Sequence, residues 1–312
     1  MKLSIIIVNW NNRNLLQKCL ESLIDSLSLV AGAKKKTVSS SFSSQPAGTE
    51  IIVVDNGSTD GSTELVKSSQ LKVQSDSLKL KVIENKENLG FSKGNNIGIR
   101  KARGEYIMLL NSDTIVKEGA IATLVNYLDL HPEVDIVGPM LLNTDGSPQP
   151  NCGRFPTLPV VAMMLFKEHF GGSDYVRQSP EESGFVDWLM GAAFMARKEV
   201  FEKIGGLDEK IFMYMEEIEW FYRAAKAGFK AYFLKEAEIV HLGRGSSKSG
   251  RSGPILNIYR GIIYFYRKHK SYWELIVLLA MLKLKAIMSL MLGYLKNDDY
   301  LKQTYGQALK IN

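Results

Sequence analysis

Short apolar runs rich in β-branched residues recur along the first half of the chain. Each is followed by a polar cluster and then by a longer stretch with apolar residues three or four apart. Ile5-Ile6-Ile7-Val8, Ile51-Ile52-Val53-Val54, Lys81-Val82-Ile83 and Tyr106-Ile107-Met108-Leu109-Leu110 read as strands. Asn14 to Leu29 carries Leu16, Leu20, Leu23 and Leu27 on one side and reads as an amphipathic helix. Strands apolar on both faces and separated by helices predict an α/β fold, with a doubly wound, mostly parallel sheet covered on both sides.

Two features interrupt the alternation. The stretch from Ala31 to Thr49, with Lys34-Lys35-Lys36 and the serines 39–41, 43 and 44, is low in complexity and reads as a surface loop; Ser68 to Ser77 reads as a smaller extension of the same kind. Leu142 to Pro159 is irregular, with four prolines and two glycines, and separates the first half from the second.

Composition adds bounds rather than identity. The chain has 312 residues, 45% hydrophobic and 23% charged, with a net charge of +6. No dense arginine stripe accompanies that excess, so nucleic acid is not an expected partner. Two cysteines, Cys19 and Cys152, allow no cysteine-based metal cluster and fit a reducing, cytoplasmic setting. The apolar run at residues 3–8 is too short for a signal-peptide core and reads as a buried strand.

Ligands of open α/β sheets bind beyond the carboxyl ends of the strands. Polar clusters stand at three such ends: Val8-Asn9-Trp10-Asn11-Asn12, Asp55 to Ser62, and Asn111-Ser112-Asp113. Turn and cap chemistry accounts for any one of them, whereas three on one sheet edge favour a ligand site. Asp113 follows a fully apolar strand, so its carboxylate is placed to share Mg²⁺ or Mn²⁺ with substrate phosphates, with Asn111 in support. The segment from Glu87 to Gly98 is glycine-rich and runs into a helix, but lacks the Walker A spacing; helix capping and a ribose or phosphate contact both remain open for it.

The second half supplies further acids. Glu216, Glu217 and Glu219 sit among aromatic and apolar residues, where burial and like-charge crowding raise a carboxylate pKa towards that of a general base. The competing reading is a helix N-terminus that favours acids, with Glu219 and Arg223 paired at i,i+4. We take that structural reading for Glu219 and the functional one for Glu216 and Glu217. His241 enters the loop Leu242-Gly243-Arg244-Gly245-Ser246; beside an expected metal a ligand role gains on a structural one, and Arg244 and Lys248 could neutralise diphosphate charge.

Taken in order, these segments resemble the family 2 glycosyltransferases of the GT-A fold, in particular the bacterial rhamnosyltransferase-like group. The resemblance covers about residues 1–250 and rests on 4–11, 54–61, Asn88-Leu89-Gly90-Phe91 with Gly94-Asn95-Asn96, 110–113, 188–192 and the Glu216-Glu217 segment. It implies a catalytic domain over 1–250 and a C-terminal helical segment over 251–312. It implies an inverting transfer of a sugar, first of all rhamnose, from a dTDP- or UDP-linked donor to a glycan or lipid-linked hydroxyl. By position it implies nucleotide contacts at Val8, Asn9, Trp10, Asp55, Asn56, Asn88, Gly90, Asn96, Asn111, Ser112 and Arg244. Asp113 and His241 would be metal ligands, and Glu217 the base. Gly191 and Ala192 would precede a helix bordering the acceptor, with Trp188 facing the acceptor pocket. Asn111 stands where the metal motif's first acid is expected, and Glu217 where Asp is usual. A sugar nucleotidyltransferase and a non-catalytic, membrane-associated nucleotide-sugar-binding module are the alternatives.

From Tyr259 the composition changes to basic and aromatic, and Tyr272 to Leu295 is apolar and helix-prone. Its length suits a bilayer crossing, but Lys283 and Lys285 sit mid-segment and cost roughly 2.5–3.5 kcal/mol each there. They point to nearly opposite sides of a helix. Peripheral membrane contact through 259–296 at the cytoplasmic face is the favoured expectation. Packing on the catalytic domain, or on a second copy in a homo-oligomer, is the other.

Overall fold

The structure is a computed structural model and describes residues 1–28, 48–73, 77–170, 177–243 and 252–311. The expected loop 31–49 lies almost wholly outside the described residues, and so do Arg244 and Lys248.

The four apolar runs are strands β1 (Leu3–Asn9), β2 (Thr49–Asp55), β3 (Leu78–Glu84) and β4 (Tyr106–Asn111). They pair in parallel in the order β4-β1-β2-β3. Helices α1 (Arg13–Ser28), α2 (Ser62–Lys72) and α3 (Gly90–Lys101) are the crossovers. The stretch read as an extension at 68–77 instead continues α2 to Lys72, and β3 starts at Leu78. The sheet is covered on both faces. Leu3, Ile5 and Ile7 enter one core with α1 and α4 (Ala120–Leu130), while Ile6, Ile52 and Val54 enter the other. This alternation explains the unbroken apolar runs.

Beyond β4 the sheet becomes mixed. The chain adds β5 (Thr114–Val116), β6 (Ile136–Leu142), β7 (Pro148–Gln149), β8 (Cys152–Gly153), helix α5 (Leu158–Phe170), β9 (Arg177–Gln178), β10 (Gly184–Val186), β11 (Trp188–Leu189) and β12 (Ala193–Arg197). Helix α6 (Lys198–Ile204), helix α7 (Glu216–Lys226) and strand β13 (Ala231–His241) follow. The path of the large sheet is β10-β13-β6-β12-β4-β1-β2-β3, with β12 antiparallel between β4 and β6. β5 pairs antiparallel with the end of β13, His241 facing Thr114, and thereby carries the Asn111-Ser112-Asp113 turn to the His241 end of that strand. β11, β8 and β9 form a separate three-stranded sheet.

The chain ends in helices α8 (Ser252–His269), α9 (Tyr272–Leu295) and α10 (Asp299–Ala308). With α5 and Met215 they form a third apolar core around Ile262, Phe265, Tyr266, Leu278 and Ala286. The segment after 251 therefore shares its core with α5 and with the turn that starts α7.

Candidate functional site

A cleft of about 710 Å³ opens at the carboxyl ends of β1 and β4. Its lining joins Val8, Trp10, Asn56, Asn88, Gly90, Asn111, Ser112 and Asp113 from the first half of the chain to Gly191, Ala192, Glu216, Glu217 and His241 from the second. Gly253, Pro254 and Asn257, at the start of α8, complete the rim. Residues more than a hundred positions apart are thus gathered round one space.

The two acids stand in the first turn of α7. The turn before it is strained: Tyr214 and Met215 both have left-handed backbone, with φ of 68° and 74°. That conformation costs non-glycine residues of order 1–3 kcal/mol each and persists only where packing imposes it. Here α8 imposes it through Gly261. A Cβ on Gly261 would lie 2.8 Å from the Met215 Cβ and 3.1 Å from the Tyr214 carbonyl oxygen. Glu216 is buried, and its Oε2 has no hydrogen-bond partner among the described residues; the same holds for Oε2 of Glu217. Burial raises both pKa values, and the nearness of Glu217 raises that of Glu216 further. The backbone N–H of Gly191 and the charge of Arg177 act the other way on Glu217. As a pair, the two carboxyls therefore hold a proton to higher pH than isolated carboxylates do.

In the same cleft, the His241 Nε2 lies 3.4 Å from the Asp113 Oδ1. Gln149 decides the imidazole tautomer. Its amide nitrogen donates to Asn143 Oδ1 and to the His241 carbonyl, so its Oε1, 2.7 Å from His241 Nδ1, accepts. Nδ1 is then the donor and Nε2 presents its lone pair towards Asp113. A carboxylate and an imidazole this close can share a divalent cation, and the backing amide is the kind of support that orients a metal-bound histidine. Among the described residues no third His, Cys, Asp or Glu joins the pair. One carboxylate and one imidazole, with substrate phosphates completing the shell, suit Mg²⁺ or Mn²⁺.

Four expectations need correction. Asn96 does not face the cleft: its amide donates to the Leu207 carbonyl and Glu209 Oε1, and its Oδ1 accepts from the Leu207 N–H. Trp188 is buried in the core, its Nε1 donating to the Arg154 carbonyl, so it is no acceptor-pocket residue. Gly191 and Ala192 do line the cleft, but they lead into strand β12 and not into a helix. Asn9 and Asp55 lie beneath the cleft wall: Asn9 donates to Asp55 Oδ1 and Ser58 Oγ, and Asp55 Oδ2 accepts from the Ser58 N–H. They fix the turn that presents Trp10 and Asn56. Asn88 Oδ1 accepts from the Gly90 N–H at the start of α3, as the capping reading expects, and the residue lines the cleft.

Sequence reasoning missed Arg177. Its Nε donates to the Pro150 carbonyl and its Nη2 lies 2.8 Å from Met190 Sδ, a cleft residue. An isolated arginine on a two-residue strand carries no motif. Phe212, which packs against Gly90 where a Cβ would come within 2.6 Å of its ring, was missed for the same reason.

Residues 4–217 match the family described as Glycosyl transferase family 2. The chain belongs to this family. Its curated relatives include rhamnosyltransferases. One, from Mycobacterium tuberculosis, is named N-acetylglucosaminyl-diphospho-decaprenol L-rhamnosyltransferase and is 25% identical over 243 residues, 72% of this chain and 76% of its own. Rhamnosyltransferase WbbL of Escherichia coli is 24% identical over 231 residues, 64% of this chain and 85% of its own. Among solved structures, the mannosyltransferase PcManGT from Pyrobaculum calidifontis in complex with GDP-Man and Mn²⁺ superposes with a TM-score of 0.57 at 16% identity, over 99% of this chain and 86% of that one. The central sheet and its helices are those of a GT-A glycosyltransferase.

Proposed function

We propose that this family 2 glycosyltransferase moves a sugar, rhamnose from dTDP-rhamnose in the first instance, onto a hydroxyl of a glycan or lipid-linked acceptor with inversion at the anomeric carbon. The observation that carries this reading is Glu217: a carboxylate with one oxygen left without a partner, in the same cleft as Asp113 and His241. The lipid-linked acceptor draws support from the name of the mycobacterial relative. A cytoplasmic setting, at the inner face of the membrane, follows from such an acceptor.

Val8, Trp10, Asn56, Asn88 and Gly90 form the wall on which the nucleotide rests, with Asn111 and Ser112 next to its phosphates. Asp113 and His241 would hold the divalent cation, which when bound would neutralise charge on the departing diphosphate. Glu217 accepts the proton of the acceptor hydroxyl as the oxygen attacks the anomeric carbon from the face away from the diphosphate. A single displacement requires no enzyme nucleophile and inverts the configuration.

Replacing Glu217 by Gln keeps the shape and removes the base. Donor affinity, measured by calorimetry with dTDP-rhamnose and Mn²⁺, is expected to stay within about twofold, while transfer falls by about 10²–10⁴. Undiminished transfer by the variant eliminates Glu217 as the base. Retained configuration in the product, read by NMR, eliminates the single displacement.

A further inference from the structure

Helix α9 is apolar nearly all round, and the structure divides it into two faces. Leu278 and Ala286 have no exposure at all, and Leu282 has 3%. They pack into the core shared with α5, α8 and α10. The opposite face bears Trp273, Val277, Leu284, Ile287, Met291 and Leu295, exposed by 73, 44, 53, 46, 60 and 83%. At about 100° per residue these six fall within one stripe, roughly 80° wide. Lys283 and Lys285, which break the apolar pattern in the sequence, stand at about 80° and 120° on either side of its centre. They are the boundaries between the protein-facing and outward-facing surfaces. Lys285 Nζ lies 5.9 Å from the Phe166 ring on the α5 side.

We propose that this outward face of α9 seats the enzyme on an anionic bilayer surface, with the helix lying along the membrane plane. Three observations select that occupant. The only acid of α9 is Glu274, which sits at the N-terminal end in the capping box with Ser271, so along the middle of the helix the apolar stripe is bordered by cations alone. Anionic lipid is complementary to that pattern. Exposed aromatic side chains stand at both ends, Tyr272 and Trp273 at one and Tyr294 at the other, where amphipathic rings favour the headgroup level. A second copy of the chain fits less well. Lys283 and Lys285 lie at the middle of the 24-residue helix, so a twofold pairing through this face sets cations of one copy against the same cations of the other. A crossing orientation is also disfavoured, because one whole face of the helix belongs to the protein core.

The seat is also well placed. α10 folds back on α9, and Thr304 of α10 is hydrogen-bonded to Ser252 at the start of α8. The next residues, Gly253, Pro254 and Asn257, form the rim of the cleft. The C-terminal half of α9 is therefore the half nearest the cleft, and a bilayer under the stripe lies beside its mouth. Binding to lipid does not depend on the reaction assigned above.

The test is co-sedimentation of the full-length chain with vesicles of phosphatidylcholine alone and of phosphatidylcholine with 30% phosphatidylglycerol (roughly the anionic fraction that gives a cytoplasmic-type surface potential). We expect binding to the anionic vesicles, a blue shift of tryptophan emission on binding, and weakening of at least about tenfold in Lys283→Glu/Lys285→Glu. Leu284→Glu/Met291→Glu should abolish binding. Lys283, Leu284 and Met291 are exposed and Lys285 is half-buried; unchanged thermal melting shows that the variants remain folded, and single substitutions replace either pair that does not. Failure of the wild-type chain to bind, equal binding by the variants, or a solution dimer that Leu284→Glu/Met291→Glu dissociates each overturns the proposal. Transfer to a water-soluble acceptor, assayed without vesicles, reports on the catalytic reading separately.

Discussion

Arg177 shows how much one side chain can decide at the level of residues. Burial raises the Glu217 pKa and the Arg177 charge lowers it, so loss of Arg177 must raise it further. A base works only when ionised, and a raised pKa moves the acid limb of the pH profile upwards. Arg177→Gln is therefore expected to move the acid limb of kcat/KM to higher pH and to cost more activity at pH 6 than at pH 9. Equal losses at both pH values leave Arg177 with a purely structural role. The residue letters disclosed the acids, Asp113 and His241, because each follows a recognisable apolar strand or lies in an apolar frame. They did not disclose which asparagines face the ligand. Asn56, Asn88 and Asn96 occupy similar polar segments, yet Asn96 turns to Leu207 and Glu209, more than a hundred residues away.

Among the elements, the meeting of α8 with the start of α7 controls the geometry of the acids. Gly261 leaves room for the Met215 side chain and the Tyr214 carbonyl of the left-handed turn to pack against α8. Gly261→Val forces the turn and α8 apart. We expect a stability loss of about 1–3 kcal/mol by urea denaturation, and a fall in kcat out of proportion to any change in donor affinity. Loss of stability with kcat intact disconnects the turn from catalysis. The glycine was invisible as a functional position, since a lone glycine in a helical pattern signals only a local cost. By contrast β1 to β4 were legible, because burial on both faces leaves an unbroken apolar run that few other structures produce.

For the molecule as a whole, the C-terminal helices are bound to α7 by charge as well as by apolar packing. Glu219 has no exposure and accepts from Arg223, Lys268 and His269, the last two on α8. Burial alone raises its pKa, but the three partners outweigh it and hold the carboxyl below its ordinary value of 4.5. A carboxylate whose folded pKa is lowered stabilises the fold above its unfolded pKa, and that contribution is lost as pH falls through the folded value. Glu219→Ala removes the anion from half-buried Arg223 while Lys268 keeps Asp208, and is expected to cost about 3 kcal/mol at pH 7, with a smaller difference from wild type below pH 4. Chemical denaturation at both pH values measures this; an equal cost at the two assigns the effect to packing instead. The i,i+4 pairing of Glu219 and Arg223 was readable from spacing. The contributions of Lys268 and His269, about fifty residues on, were not.

What the chain determined unaided is whatever depends on near neighbours in sequence: the strands from their continuous apolar runs, the crossovers from their helical period, the polar clusters at strand ends, and through their order the family. Only the tertiary structure decided which of those polar residues meet. β5 pairing with β13 brings Asp113 to His241, β12 entering antiparallel brings Gly191 to Glu217, and packing of one face of α9 leaves the other outside. Each of these depends on contacts between segments distant in sequence, and no local period or propensity encodes which pair will form.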